Sequence, residues 1–220
     1  MSVLTVSTSS GVEVQRGSGV FLRRVELAFW LLLLVVCNHS LLQGEVVSGF
    51  IFQPDRVVAG EWWRALLSPF VHLSWYHLAL DAAAFLLLWQ GLEEERPWGR
   101  WAFFLGSWGG SLLIPLLVAP RVLEGGLCGL SGVAHGLFAV TALELLFGGR
   151  REGGRVLGFG LLAGVVLKVA WETVFGGELI GSLHLGDVGV PVVLCHLGGL
   201  LGGSLAFGLL SLSGCREERS

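Results

Sequence analysis

Charge is what this chain has least of. Asp, Glu, Lys and Arg make up 14% of its 220 residues, against about 25% in soluble domains. No basic run occurs and the net charge is −3, which excludes a nucleic-acid surface built on clustered cations. Cysteine is sparse too: the four, at 37, 128, 195 and 215, show no CxxC spacing. Neither a disulfide framework nor a zinc site is therefore indicated, and Cys128 and Cys195 read as small apolar fillers. The chain also lacks internal repeats, low-complexity linkers and an HExxH metal motif, and nothing in it calls for a cofactor.

What it has in abundance is apolar residues, 53% of the total, with a mean hydropathy of +0.73. A spanning helix needs about 20 mostly apolar residues to cross roughly 30 Å of hydrocarbon. Six stretches qualify, at 25–43, 72–92, 100–119, 127–147, 156–175 and 190–212. The expected fold is therefore all-α, a polytopic six-helix membrane bundle over 25–212, with tails at 1–24 and 213–220. The first span follows Arg23 and Arg24, but Asn38-His39-Ser40 is a poor cleavage site, so it is expected to be an uncleaved helix.

Basic residues set the expected orientation. With the N-terminus inside, Arg16, Arg23, Arg24, Arg96, Arg100, Arg150, Arg151, Arg155, Arg216 and Arg219 fall on the inner side, against Arg56, Arg64 and Arg121 outside. That is a clear positive-inside bias. Spans four and six then both run from outside to inside.

Ionisable residues inside a span are costly, and each is a functional hypothesis by default. Ser131, between Leu130 and Gly132, is about the fifth residue of span four, and His196 about the seventh of span six. At 1.5 Å per residue both sit roughly 6–10 Å below the outer boundary. Gly132/Gly136, Gly198/Gly202 and Gly199/Gly203 are small-xxx-small pairs that let these two helices pack closely. The imidazole can take the serine proton and return it to a leaving amine, so the pair can run acyl transfer. His135, one turn after Ser131, is placed either to fix the His196 ring or to serve only in helix packing.

These residues resemble the rhomboid family of intramembrane serine proteases. Gly129-Leu130-Ser131-Gly132 is similar to its GxSG motif, His196 with its glycine-rich helix to its base, and Glu61-Trp62-Trp63-Arg64 to its WR motif. Phe70-Val71-His72 and Tyr76-His77-Leu78 resemble its paired histidines, and Glu93 stands where the family has a glutamate. The likeness runs in order over roughly residues 60–210.

Within the family, His72-Leu73-Ser74-Trp75, His77 with Asp81, and Gly129 to Gly136 look most like the rhombosortase branch. That resemblance implies a multi-pass enzyme of the bacterial inner membrane with a periplasm-facing site. Its partner would be a membrane-anchored protein cleaved near a C-terminal Gly-Gly motif, before a hydrophobic helix and basic tail. The family pattern assigns an oxyanion role to His77 and to the serine N–H. Many rhomboids carry asparagine where Asp81 stands. A carboxylate would repel an oxyanion, so Asp81 either acts protonated or orients His77, four residues earlier; the second is expected.

Lys168 and Glu172, four apart on span five, could form a proton or ion relay, but with no further acid chain leading from them they read as a satisfied buried pair or a lysine stretching to the interface. Glu144 reads as interfacial or paired with an arginine of 150–155, and Arg64 as a residue holding the first loop through carbonyls or Glu61. Two rival functions stand beside the protease: a non-catalytic rhomboid-like protein that binds membrane clients, and a metal or ion transporter using His72, His77, His135, His196, Cys128 and Cys195.

Overall fold

The structure, a computed structural model, describes residues 10–119, 124–148, 153–177, 179, 185–189 and 192–217, with side chains between 21 and 213. Arg121, Arg150, Arg151 and Arg219, the first nine and last three residues of the expected tails, and positions 190–191 of the sixth expected span lie outside the described residues, as do the side chains of Arg16 and Arg216.

Among the described residues every extended element is a helix: α1 (Ser10–Asn38), α2 (Pro54–Val58), α3 (Trp63–Leu67), α4 (Trp75–Gly91), α5 (Pro97–Val118), α6 (Ser131–Phe147), α7 (Gly154–Phe175) and α8 (Leu194–Glu217). The protein is a helical membrane bundle. Four segments are long and apolar enough to cross a bilayer: Phe21–Gln43, Pro97–Val118, Gly154–Phe175 and Leu194–Ser213. The α4 helix reaches that length only together with Trp63–Phe70, from which it is bent by 90°.

Span four is shorter than its hydropathy implies. Residues 127–130, expected as its first turn, are not helical, and α6 begins at Ser131 itself. Two features hold that turn open. Phe52 and Leu127 exchange backbone hydrogen bonds of 3.0 and 2.9 Å, and Gly129 has φ +98°, which L-residues rarely adopt. The 17 residues of α6 cover about 26 Å. A short helix is tolerated because α6 is central: it touches α4, α5, α7 and α8, and Leu137, Ala139, Val140 and Ala142 are fully buried.

Glycine sets the spacing of the central helices. A Cβ on Gly199 would overlap the carbonyl of Gly132, and one on Gly203 would lie 2.7 Å from the carbonyl of Gly136. On its other side α8 meets α5, where Gly198 and Gly202 abut the carbonyls of Gly110 and Gly106. With no hydrophobic drive between helices in lipid, such close backbone packing is the main source of association.

Around this centre, Trp30 of α1 is buried among the rings of Phe70, Phe85, Trp89, Trp101 and Phe104. Arg100 is almost fully buried, pairing with Glu26 at 3.0 Å and donating to the Trp89 carbonyl at 2.8 Å. Glu144 has partners that the sequence did not suggest. Its carboxylate accepts the backbone N–H groups of Glu93 and Glu94, both at 2.9 Å, and so closes the α4–α5 turn, while Arg150 and Arg151 of the expected partners lie outside the described residues. Those N–H groups follow the end of α4 and would otherwise be orphans.

The segment between α1 and α4 is folded onto the bundle. Arg64 holds it, with Nε 2.5 Å from Glu61 Oε2 and Nη1 donating to the carbonyls of Ser48 and Ile51 at 2.8 and 3.0 Å. Both expected partners are used at once. Asn38 is buried, donating to the carbonyls of Leu34 and Phe70 and accepting the His72 N–H at 2.9 Å. The Ser74 hydroxyl caps α4 by accepting the His77 N–H at 3.0 Å.

Candidate active site

The bend before α4, the open turn before α6 and the starts of α8 and of the segment at 185–189 enclose one cavity of about 630 Å³. Ser131, His135, His196, His77 and Asp81 all line it. Gly129 lies against its wall, where a Cβ would fall 2.8 Å from His77 Nε2 and 2.9 Å from Asp81 Oδ2. The segment 185–189 closes one side: the Ser74 hydroxyl donates to the Asp187 carbonyl, and the Leu185 N–H to the Tyr76 hydroxyl at 3.2 Å.

Ser131 is the first residue of α6. Its N–H and those of Gly132 and Val133 precede the first intrahelical bond, Ala134 N–H to Leu130 C=O, so they are the orphan donors of a helix N-terminus. The side-chain contact of Ser131 Oγ is Cys195 Sγ, at 3.8 Å. Among the described residues no hydrogen bond joins Oγ to His196.

The His196 ring is buried and held from two directions. It stacks on His135 with centroids 4.0 Å apart and planes at 16°. Its Nδ1 is 2.8 Å from Oε2 of Glu172, a carboxylate with no exposed surface. The other oxygen, Oε1, accepts from Lys168 Nζ at 2.6 Å and from the Leu179 N–H at 3.2 Å. Lys168 Nζ is also 2.9 Å from His135 Nε2, and His135 Nδ1 is 2.7 Å from the Ser131 carbonyl.

Glu172 is the residue that sequence reasoning missed. It was paired with Lys168, which the structure shows, but the pair was assigned to packing, whereas both residues line the cavity. A signal was present. Glu172 lies three residues from the end of α7, and α7 runs opposite to α6 and α8, so the depth argument applied to Ser131 and His196 also reaches this acid.

On the α4 side, Asp81 Oδ2 is 3.3 Å from His77 Nε2 and 3.6 Å from His72 Nε2, while His77 Nδ1 accepts the Leu73 N–H at 3.4 Å. The proton of the neutral His77 ring therefore sits on Nε2, close to Asp81 Oδ2 but without a hydrogen bond to it. The six residues proposed for an ion transporter are not gathered into one ligand set. His135, Glu172 and His196 do bring ligand atoms within 4.8 Å of one another. The Lys168 ammonium already stands against two of these residues and fills the cationic position.

Residues 59–213 match the Rhomboid domain. The chain belongs to the rhomboid family. It is also 30% identical over 197 residues to Rhomboid-like protein 11, chloroplastic, of Arabidopsis thaliana, covering 86% of this chain and 67% of that protein. No solved structure matches. Rhomboids are in general intramembrane serine proteases acting on substrates embedded in the bilayer, and some members are inactive.

Proposed function

We propose that this rhomboid is an active intramembrane serine endopeptidase in which Ser131 is the nucleophile and His196 the base. The observation that carries this reading is the orientation of His196, which lines the cavity: its Nδ1 is bound to a buried carboxylate and its ring is stacked on His135, so Nε2 is the nitrogen that Glu172 does not engage. When substrate enters, the Ser131 hydroxyl turns from Cys195 toward Nε2; catalytic hydrogen bonds often tighten only in the complex.

The chemistry balances with these groups alone. Oγ bonds to the scissile carbonyl carbon as its proton passes to Nε2, and the carbonyl electrons move onto oxygen. The Ser131 N–H at the α6 terminus faces that charge, assisted by the helix dipole. His77 Nε2–H is the second donor. Collapse expels the amine, which takes the proton from Nε2, and water then hydrolyses the acyl ester by the same route.

The bundle is read as six-spanning, α4 and α6 completing the four longer crossings, in a bacterial inner membrane with both termini cytoplasmic and the cavity toward the periplasm. The substrate is read as a secreted protein with a C-terminal Gly-Gly, hydrophobic helix and basic tail. Glycines near the scissile bond ease local unwinding, since glycine costs about 1 kcal/mol in a helix relative to alanine. A fluorophosphonate probe on the detergent-solubilised protein tests the reading: Ser131 should be labelled, and labelling should vanish in His196→Ala. An intact, folded preparation that fails to label would instead favour a non-catalytic, client-binding rhomboid.

A further inference from the structure

Three helices contribute a closed circuit of polar groups on the α7 side of the cavity. It runs from the Ser131 carbonyl through His135, Lys168 and Glu172 to His196, and the His135–His196 stack closes it. Each link is 2.6–2.9 Å long. The direction of every hydrogen bond then follows from donor inventory. A lysine ammonium only donates, so His135 Nε2 accepts, and His135 Nδ1 carries the proton given to the Ser131 carbonyl. A carboxylate only accepts, so His196 carries a proton on Nδ1, and in the neutral ring the lone pair is on Nε2.

We infer that Glu172 is a positioning residue for His196, making the machinery a Ser131–His196–Glu172 triad with Lys168 as the counter-charge of its carboxylate. This rests on the protease reading. A dyad needs nothing from α7, yet this chain places a fully buried acid there, and burying a carboxylate is tolerated only where it is paired and hydrogen-bonded. A purely structural pair would be complete with Lys168 on Oε1. Oε2 is instead used on the imidazole, and the Leu179 N–H further fixes the carboxylate plane. As Nε2 gains the serine proton, Glu172 stabilises the imidazolium without itself being protonated, and Nδ1 keeps its hydrogen. His135 belongs to the same device: its ring plane restrains His196, and its own bonds to Lys168 and to the Ser131 carbonyl restrain His135.

The test compares Glu172→Gln, Glu172→Asp and Lys168→Met with the wild type by the rate of fluorophosphonate labelling of Ser131, and reads the His196 tautomer by nitrogen-15 NMR. A glutamine can present its amide N–H to Nδ1 and so invert the tautomer. Glu172→Gln should therefore slow labelling by about 10³–10⁴-fold, by analogy with loss of the triad carboxylate elsewhere. Glu172→Asp should recover part of that rate, and Lys168→Met should fall between the two. The wild-type spectrum should show the proton of His196 on Nδ1, and the Glu172→Gln spectrum on Nε2.

Labelling of Glu172→Gln within threefold of wild type would overturn the triad while leaving the protease reading intact, provided that His196→Ala abolishes labelling. A wild-type His196 protonated on Nε2 would overturn it too, and that measurement needs no variant to fold. Stoichiometric zinc binding by the wild-type protein, lost in His135→Ala, would also refute it, since the imidazole would then be a metal ligand.

Discussion

The contact between α6 and α8 carries the sharpest consequence, because Ser131 and His196 sit on opposite sides of it. In Gly203→Ala the new methyl would lie 2.7 Å from the carbonyl of Gly136 and 2.8 Å from Ser107 Oγ. The hydroxyl can turn away, but the carbonyl belongs to a helix backbone and cannot. Ordinary contact of about 3.4 Å requires α8 to retreat by roughly 0.7 Å, in an interior that is packed to crystal-like density. Overpacking of this kind costs about 1–3 kcal/mol, of which the better helix propensity of alanine returns roughly 0.8–1. The net loss of stability should be about 0–2 kcal/mol, too little to unfold the protein. Activity is the more sensitive readout, because a misplacement of 1 Å can cost about 10²-fold. Passed along seven residues of rigid helix to His196, the shift should slow fluorophosphonate labelling roughly tenfold or more. Gly208→Ala is the control on the same helix, since a methyl there meets nothing within 4 Å. Equal labelling rates for the two variants, at equal thermal stability in detergent, would refute the claim that glycine contact sets the distance between nucleophile and base.

His77→Ala should lower kcat by about 10²–10³-fold if its Nε2–H faces the oxyanion, measured on a cleavable membrane-anchored substrate. Asp81→Asn should keep substantial activity, because an amide can still hold the His77 ring; collapse of the rate would show that the acid itself is required. Arg64→Ala removes three anchors of the segment before α4; proteolytic nicking between residues 44 and 62 should accelerate, with unchanged nicking counting against its holding role. Arg100→Met leaves the largely buried Glu26 without its cationic partner, with Trp89 Nε1–H still donating to it, and should destabilise the bundle by about 3 kcal/mol, read from thermal unfolding in detergent.

The class, and the serine and histidine proposed here as the machinery, could be read from the chain alone. Membrane helices announce themselves because lipid demands long apolar runs with internally satisfied backbones, a constraint local enough to survive in the sequence. Ser131 and His196 stood out for the same reason, as polar groups where hydrocarbon penalises them. The small-residue pairs of α8 were equally visible, but their use against both α5 and α6 was not, since a periodic face does not name its partners. Three assignments needed the fold. The first turn of span four is open because Phe52, seventy-five residues earlier in the chain, pairs with Leu127. Glu144 binds two backbone N–H groups of a distant turn, and no charge pattern encodes a carbonyl or an amide as a partner. Glu172 looked like one half of a lysine pair because sequence spacing reports only neighbours on its own helix; its second oxygen is engaged by a residue 24 positions away on another helix. Composition and periodicity therefore determined that this protein is a helical membrane bundle, its motifs pointed by resemblance to the rhomboid family, and counting along the spans put a serine and a histidine at one level. Only tertiary structure, through contacts between helices remote in sequence, decided which carboxylate meets the histidine, and so how its base is held.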